Sequence, residues 1–122
     1  MTQITTFNDI LAWQKAHKLV LHVYKLTNQF PASEKYTLSN QLRRAVISIA
    51  SNIVEGFKRR SVKDSLRFYN MAEASLEEVK YQLLIARDLE YISKEQYTDI
   101  KNTFNEAGKT LHGWIKSQKL NS

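Results

Sequence analysis

Apolar residues recur at alternating steps of three and four along four separate blocks of this chain. That spacing places them on one face of an α-helix, and its repetition over several turns is typical of helices that pack side by side. The four predicted stripes are Ala12, Ala16, Leu19, Val23, Leu26 and Phe30; Leu38, Leu42, Ala45, Val46, Ile49 and Ile53; Val62, Tyr69, Ala72, Leu76, Val79, Leu83 and Ala86; and Tyr97, Ile100, Phe104, Ala107, Leu111 and Trp114. Four amphipathic helices in one chain predict a four-helix bundle.

Residues that cap or break helices mark the boundaries between the four blocks. Pro31 stops the first helix, because it lacks an amide hydrogen and disfavours helix at the residue before it. Gly56 is expected to end the second helix in a left-handed conformation. Ser61 is the predicted N-cap of the third helix. Ser93 and Gln96 have the spacing of a capping box at the start of the fourth.

These boundaries predict helices over about residues 8–29, 37–57, 62–89 and 94–117. Connections of about three to eight residues force neighbouring helices to run antiparallel. With only three glycines and one proline, the chain has too few turn residues for a β-rich or loop-rich fold. The sequence therefore predicts one all-α domain over residues 1–122, an up-down-up-down antiparallel four-helix bundle.

The composition also indicates the cellular compartment in which the protein is expected. The chain has no cysteine, which excludes disulfides and thiolate metal sites and fits a reducing cytoplasm. Its start lacks the basic and apolar segments of a secretory signal. No apolar run approaches the roughly 18 residues that a membrane span needs. We therefore predict a cytoplasmic protein with no membrane partner.

No pattern of catalytic or metal-binding residues is present. None of the acidic residues is followed three positions later by histidine, as a di-metal bundle would require. His17 and His22 are about 140° apart around a helix, and the adjacent Glu77 and Glu78 point about 100° apart, so neither pair converges. Glycine-rich phosphate loops and the common hydrolase motifs are missing. The prediction is a protein that is not an enzyme and has no catalytic residues, metal or cofactor.

Positive charge is the strongest functional signal. Of the 18 basic and 12 acidic side chains that give a net charge of +6, the surplus is largest in residues 33–60, whereas residues 61–92 are net acidic. One basic cluster is a stripe on the first helix, and another stands before the third helix, whose N-terminus favours anions. The residues predicted to contact RNA or DNA phosphates are Lys15, Lys18, Lys25, Lys58, Arg59 and Arg60. The alternative for both clusters is an ordinary solvated surface.

The second helix carries more apolar residues than a single buried face requires. Ile47 and Val54 lie off its main stripe, which predicts either a broad buried arc or a surface for self-association. A polar stripe with small serines lies opposite the apolar face and would let another chain approach closely, although plain solvent exposure also explains it. The predicted oligomer interface comprises Arg44, Ile47, Ser48, Ser51, Asn52, Val54 and Glu55.

Several segments together resemble a known family. They are Gln41-Leu-Arg-Arg44-Ala45, Ser48, Asn52-Ile53-Val54-Glu55-Gly56-Phe57, Arg59 or Arg60 with Ser61, Trp13-Gln14-Lys15-Ala16, Phe30-Pro31, and Ala72 with Ser75-Leu76-Glu77-Glu78. The chain resembles the 23S rRNA intervening-sequence proteins over about residues 7–116. It departs from their pattern at Val54, where alanine is usual, and at Ala74, where glycine is frequent, and both changes are conservative in a helix.

This resemblance implies properties that the residue patterns do not. Members are bacterial four-helix bundles, and they are similar to the accessory protein of diversity-generating retroelements, a basic pentameric barrel that works with a reverse transcriptase and nucleic acid. The expectation is thus a non-enzymatic homopentamer that binds RNA or DNA through phosphate contacts. The alternative is a protein-interaction module that docks a nucleic-acid enzyme without binding nucleic acid itself.

Overall fold

The computed structural model describes residues 3–121, so residues 1, 2 and 122 of the predicted domain lie outside it. The described chain forms the helices α1 (Leu11–Thr27), α2 (Leu38–Phe57), α3 (Val62–Asp88) and α4 (Lys94–Leu120), with short 3-10 turns at Phe7–Asp9 and Ala32–Glu34. No strand occurs among these residues. The predicted all-α class is confirmed, and the helix bounds differ from the predicted ones by about three residues at most.

Neighbouring helices run antiparallel. The contacts between them are Tyr69 with Trp114 and Arg87 with Tyr97 across α3 and α4, Lys15 with Glu106 and His22 with Thr103 across α1 and α4, and Gly56 with Tyr69 and Ser48 with Ser75 across α2 and α3. In each of these three pairs of helices, residue numbers rise on one helix as they fall on the other. Because α1 also packs against α2, the four helices form a closed up-down-up-down square.

The core consists of the four predicted apolar stripes. Every stripe residue of α1 and α2 is buried. On α3 and α4 the exceptions are Val62, Tyr97 and Trp114, which are only partly buried. Val62 and Tyr97 lie in the first turns of their helices, where fewer neighbouring residues cover them. Ile10 and Ile92, which lie just outside the helices, are also buried and help to close the core.

Two of the predicted helix ends are confirmed in detail. The Ser61 hydroxyl oxygen accepts the Asp64 amide hydrogen at 3.1 Å and caps α3. Ser93 and Gln96 form the predicted capping box, since each side chain accepts the other residue's amide hydrogen, at 3.0 and 2.9 Å. Both caps satisfy amide donors that would otherwise have no partner at the helix start.

The predicted role of Gly56 is wrong. Gly56 lies inside α2, and no described glycine has a positive φ. Its function is steric: a Cβ atom at this position would lie 2.8 Å from Cδ1 of Tyr69 and closer still to Cε1. Tyr69 is itself buried, so its ring has little space to move. Glycine therefore permits the close approach of α2 and α3 just before the turn that joins them.

The left-handed helix end occurs at Glu90 instead, with φ 62°. The Tyr91 amide donates to the Ala86 carbonyl at 2.8 Å, and the Glu90 amide donates to the Arg87 carbonyl at 3.0 Å. This pair of hydrogen bonds is a Schellman motif, which satisfies the last carbonyls of α3. These bonds hold a non-glycine residue in a conformation that costs about 1–2 kcal/mol.

Candidate nucleic-acid interface

The fold gathers the net positive charge at one end. The up-down order brings the start of α1, the end of α2, the start of α3 and the end of α4 together around the α2–α3 turn. When each helix is divided at its midpoint, residues 3–18, 48–74 and 108–121 lie at this end, here called the basic half. It carries ten basic and four acidic side chains, whereas the other half carries eight of each. The entire net charge of +6 therefore lies in the basic half.

The predicted cluster at the α2–α3 turn lies in the middle of the basic half. Lys58, Arg59 and Arg60 are all exposed. The Arg59 guanidinium forms an ion pair with Glu55 at 2.7 Å, and its carbon lies 4.3 Å from the centre of the Phe68 ring. Lys58 and Arg60 form no ion pair with a described residue. The turn thus presents two free cations beside one that is held in place.

The structure divides the predicted stripe on α1. Lys15 and Lys18 lie in the basic half, but Lys25 is in the last turn of α1, about 15 Å from Lys15 along the helix axis. Lys15 forms a 2.5 Å ion pair with Glu106, and its hydrogen bond holds the pKa of Glu106 below the usual value. Of the six predicted contact residues, five therefore share the basic half, and Lys25 lies in the other half.

His22 adds no charge to this stripe near neutral pH. Its Nδ1 atom lies 2.9 Å from the Thr103 hydroxyl oxygen, in the half-buried contact between α1 and α4. Burial lowers the pKa of His22, and Lys25 and Lys18 lower it further, against an opposing effect of Asp99. Because an unperturbed histidine already titrates near 6.5, a lower pKa leaves His22 neutral at pH 7.

Sequence reasoning missed five exposed cations of the basic half. They are Lys63, Arg67, Lys109, Lys116 and Lys119. The α3 residues were missed because residues 61–92 are net acidic as a block. The carboxylates responsible lie at the other end of this block: Glu77, Glu78 and Asp88 are in the far half of α3, and Glu90 follows its last residue. Counting charge in each half of every predicted helix could have found these residues.

The predicted oligomer interface is only partly open to another chain. Arg44, Ile47, Ser51 and Glu55 are exposed, and Ile47 has 41% of its surface exposed. Ser48 and Asn52 are partly buried, together with Val54. The Ser48 and Ser75 hydroxyl oxygens lie 2.8 Å apart across α2 and α3, and Asn52 donates to the Ser48 carbonyl at 2.8 Å. Ser48 therefore helps to join α2 to α3 within one subunit, and Asn52 supports Ser48 from the next turn of α2.

The described residues contain no group of three or more His, Cys, Asp or Glu side chains placed to hold a metal ion. None of the helices over residues 3–121 is long and apolar enough to cross a membrane.

Comparison with known proteins extends these observations. The family model for the 23S rRNA-intervening sequence protein matches residues 8–113. A crystal structure of a protein with unknown function from the S23 ribosomal protein family of Bacteroides thetaiotaomicron superposes with a TM-score of 0.80 and 28% sequence identity. The similarity covers 87% of this chain and 99% of that one. No curated protein matches the chain.

Proposed function

We propose that this chain, which belongs to the 23S rRNA-intervening sequence protein family, is a self-associating bundle that binds the phosphate backbone of RNA or DNA and has no catalytic role. The observation that carries this proposal is the location of the whole +6 net charge in one half of the bundle. Double-stranded DNA carries one negative charge per about 1.7 Å of its axis, and RNA has the same phosphate backbone, so a concentrated basic surface attracts both regardless of sequence.

Salt dependence tests this function. Fluorescence anisotropy with mixed-sequence RNA and DNA should show binding that weakens as salt rises. Two or three phosphates neutralised per subunit give a slope of log K against log salt concentration of roughly −2 to −3, and an assembly would increase it by presenting several copies. If neither nucleic acid binds at about 0.15 M salt, the direct role is rejected and docking of a nucleic-acid enzyme becomes the better explanation.

Self-association belongs to the same proposal. We propose a closed ring, with five subunits as the family resemblance implies, in which the exposed Ile47 side chain is covered by a neighbouring subunit. Light scattering should give a pentamer at tens of micromolar protein. Ile47→Glu would bury a charge in that contact, and we expect a rise of roughly 100-fold in the dissociation constant.

Leu21→Glu is the matched control for the ring. Leu21 is an exposed apolar residue on α1, 58% exposed, and it lies outside the predicted interface. The same substitution there should leave the ring intact. A monomeric wild-type protein, or equal dissociation by both variants, would reject the proposed interface.

A further inference from the structure

We infer that Arg59 and Arg67 form a two-arginine clamp on Phe68 that binds backbone phosphates of a nucleic-acid strand. The inference rests on the proposed function and identifies the residues that would make its specific phosphate contacts. Arg67 lies on α3, outside the basic turn that the sequence singles out, so only the folded structure brings it to Arg59.

Both guanidinium groups lie against the same aromatic ring. Their carbons are 4.3 Å and 5.0 Å from the centre of the Phe68 ring, for Arg59 and Arg67 respectively. The two carbons are consequently no more than about 9 Å apart. That distance lets one phosphate contact both groups, or lets two successive phosphates of a strand contact one each.

Each guanidinium is also held by a carboxylate. Arg59 donates through Nε to the Glu55 carbonyl at 3.3 Å and through Nη2 to the Glu55 carboxylate at 2.7 Å. Arg67 donates through Nε and Nη2 to one Asp64 oxygen, at 3.3 and 2.9 Å. In both residues the Nη1 donors have no partner among the described residues. They can therefore bind an anion while the carboxylates keep the groups in place.

At these two positions the side chain has to be arginine, and a positive charge alone would not serve the same purpose. A guanidinium stacks on an aromatic ring and binds phosphate with paired donors, whereas a lysine ammonium acts as a compact point charge. Because ring and carboxylate already restrict both side chains, binding would cost less conformational entropy than it does for a free side chain. The exposed neighbours Lys58, Arg60 and Lys63 add attraction without this geometry.

The test exchanges arginine for lysine so that the net charge stays at +6. The double variant R59K/R67K should bind a mixed-sequence duplex roughly tenfold more weakly than wild type. The control R43K/R87K replaces two arginines of the other half, and the Arg43 guanidinium carbon lies 4.8 Å from the centre of the Tyr24 ring. Arg87 is stacked on Tyr97 and paired with Asp88, so it matches the environment of the clamp residues. The affinity of this control variant for the duplex should stay within about twofold of the wild-type affinity.

Equal affinities of the two double variants would overturn the clamp. If R59K/R67K loses helicity, Phe68→Leu provides a second test, because it keeps an apolar side chain but removes the aromatic face. That variant should also bind several-fold more weakly, and unchanged binding would again reject the clamp. Removing the 5′-terminal phosphates from the duplex should change nothing, and binding that requires them would reject backbone contacts.

These experiments distinguish a failure of the proposed nucleic-acid binding from a failure of the arginine clamp. A wild-type protein that binds neither RNA nor DNA contradicts the proposed function itself. A wild-type protein that binds with the expected salt dependence, while R59K/R67K binds equally well, contradicts the clamp alone.

Discussion

Replacing Gly56 with alanine should destabilise the bundle by about 2–3 kcal/mol, even though alanine forms helices better than glycine. The added methyl group would enter the space occupied by the Tyr69 ring, at 2.8 Å from Cδ1 and closer to Cε1. Since Tyr69 is buried between α2, α3 and α4, relief requires the helices to separate or the ring to leave its position. Urea unfolding followed by circular dichroism measures the change, at one protein concentration because assembly contributes to apparent stability.

The chain supplies its own control in Gly113. This residue is exposed on α4, and a Cβ atom there would meet nothing within 4 Å. Gly113→Ala should therefore stabilise the protein by about 0.5–1 kcal/mol through helix propensity alone. The two substitutions are chemically identical and are expected to have opposite signs. If Gly56→Ala stabilises the protein as Gly113→Ala does, the close approach at Gly56 is not the reason for glycine.

Replacing Tyr69 with a smaller residue tests the contact between positions 56 and 69 directly. In Tyr69→Leu the aromatic atoms nearest to Gly56 are gone, so adding Gly56→Ala to it should cost at least about 1 kcal/mol less than in the wild type. Additive effects would mean that the two positions do not interact.

Gly56 also shows which features of the fold cannot be predicted from local sequence. The spacing of apolar residues and the caps at Ser61 and Ser93 are features of single helices. Spacing and residue type were therefore enough to predict the helix positions, the N-caps and most of the buried face, with Val62, Tyr97 and Trp114 as the exceptions. A glycine near a helix end has two explanations, a left-handed cap or close packing, and only the position of Tyr69 on another helix decides between them. Glu90 is the converse case, because a non-glycine residue in the left-handed region has no reliable sequence signal.

The candidate site was predictable to a similar extent. Lys58, Arg59 and Arg60 are adjacent in sequence, and their cluster survives in the structure. The role inferred for Arg67 depends on the approach of Arg59 to the neighbouring Phe68 ring, which no local pattern contains. The polar stripe of α2 likewise looked continuous, but Ser48 contacts Ser75 on α3 and Asn52 donates to Ser48, so both residues are partly buried. The structure differs from the prediction at these residues because of contacts between α2 and α3, which residue type alone does not indicate.

Neutralising the α2–α3 turn should have the largest effect on nucleic-acid binding. The triple variant K58Q/R59Q/R60Q lowers the net charge from +6 to +3 and removes the centre of the basic half. We expect affinity for mixed-sequence RNA and DNA to fall by roughly 100-fold, and the salt slope to become shallower by about 2–3. Because these residues lie in or next to a turn, helicity and assembly should be retained.

A matched variant in the other half distinguishes local contact from overall charge. Lys35, Lys94 and Lys101 are exposed and have no acidic partner among the described residues. K35Q/K94Q/K101Q also lowers the net charge to +3, so long-range attraction should weaken equally in both variants. Affinity should fall only a few-fold in this control, with the salt slope nearly unchanged. Equal losses in the two variants would mean that nucleic acid responds to the total charge, and that the end of the bundle around the α2–α3 turn is not its binding surface.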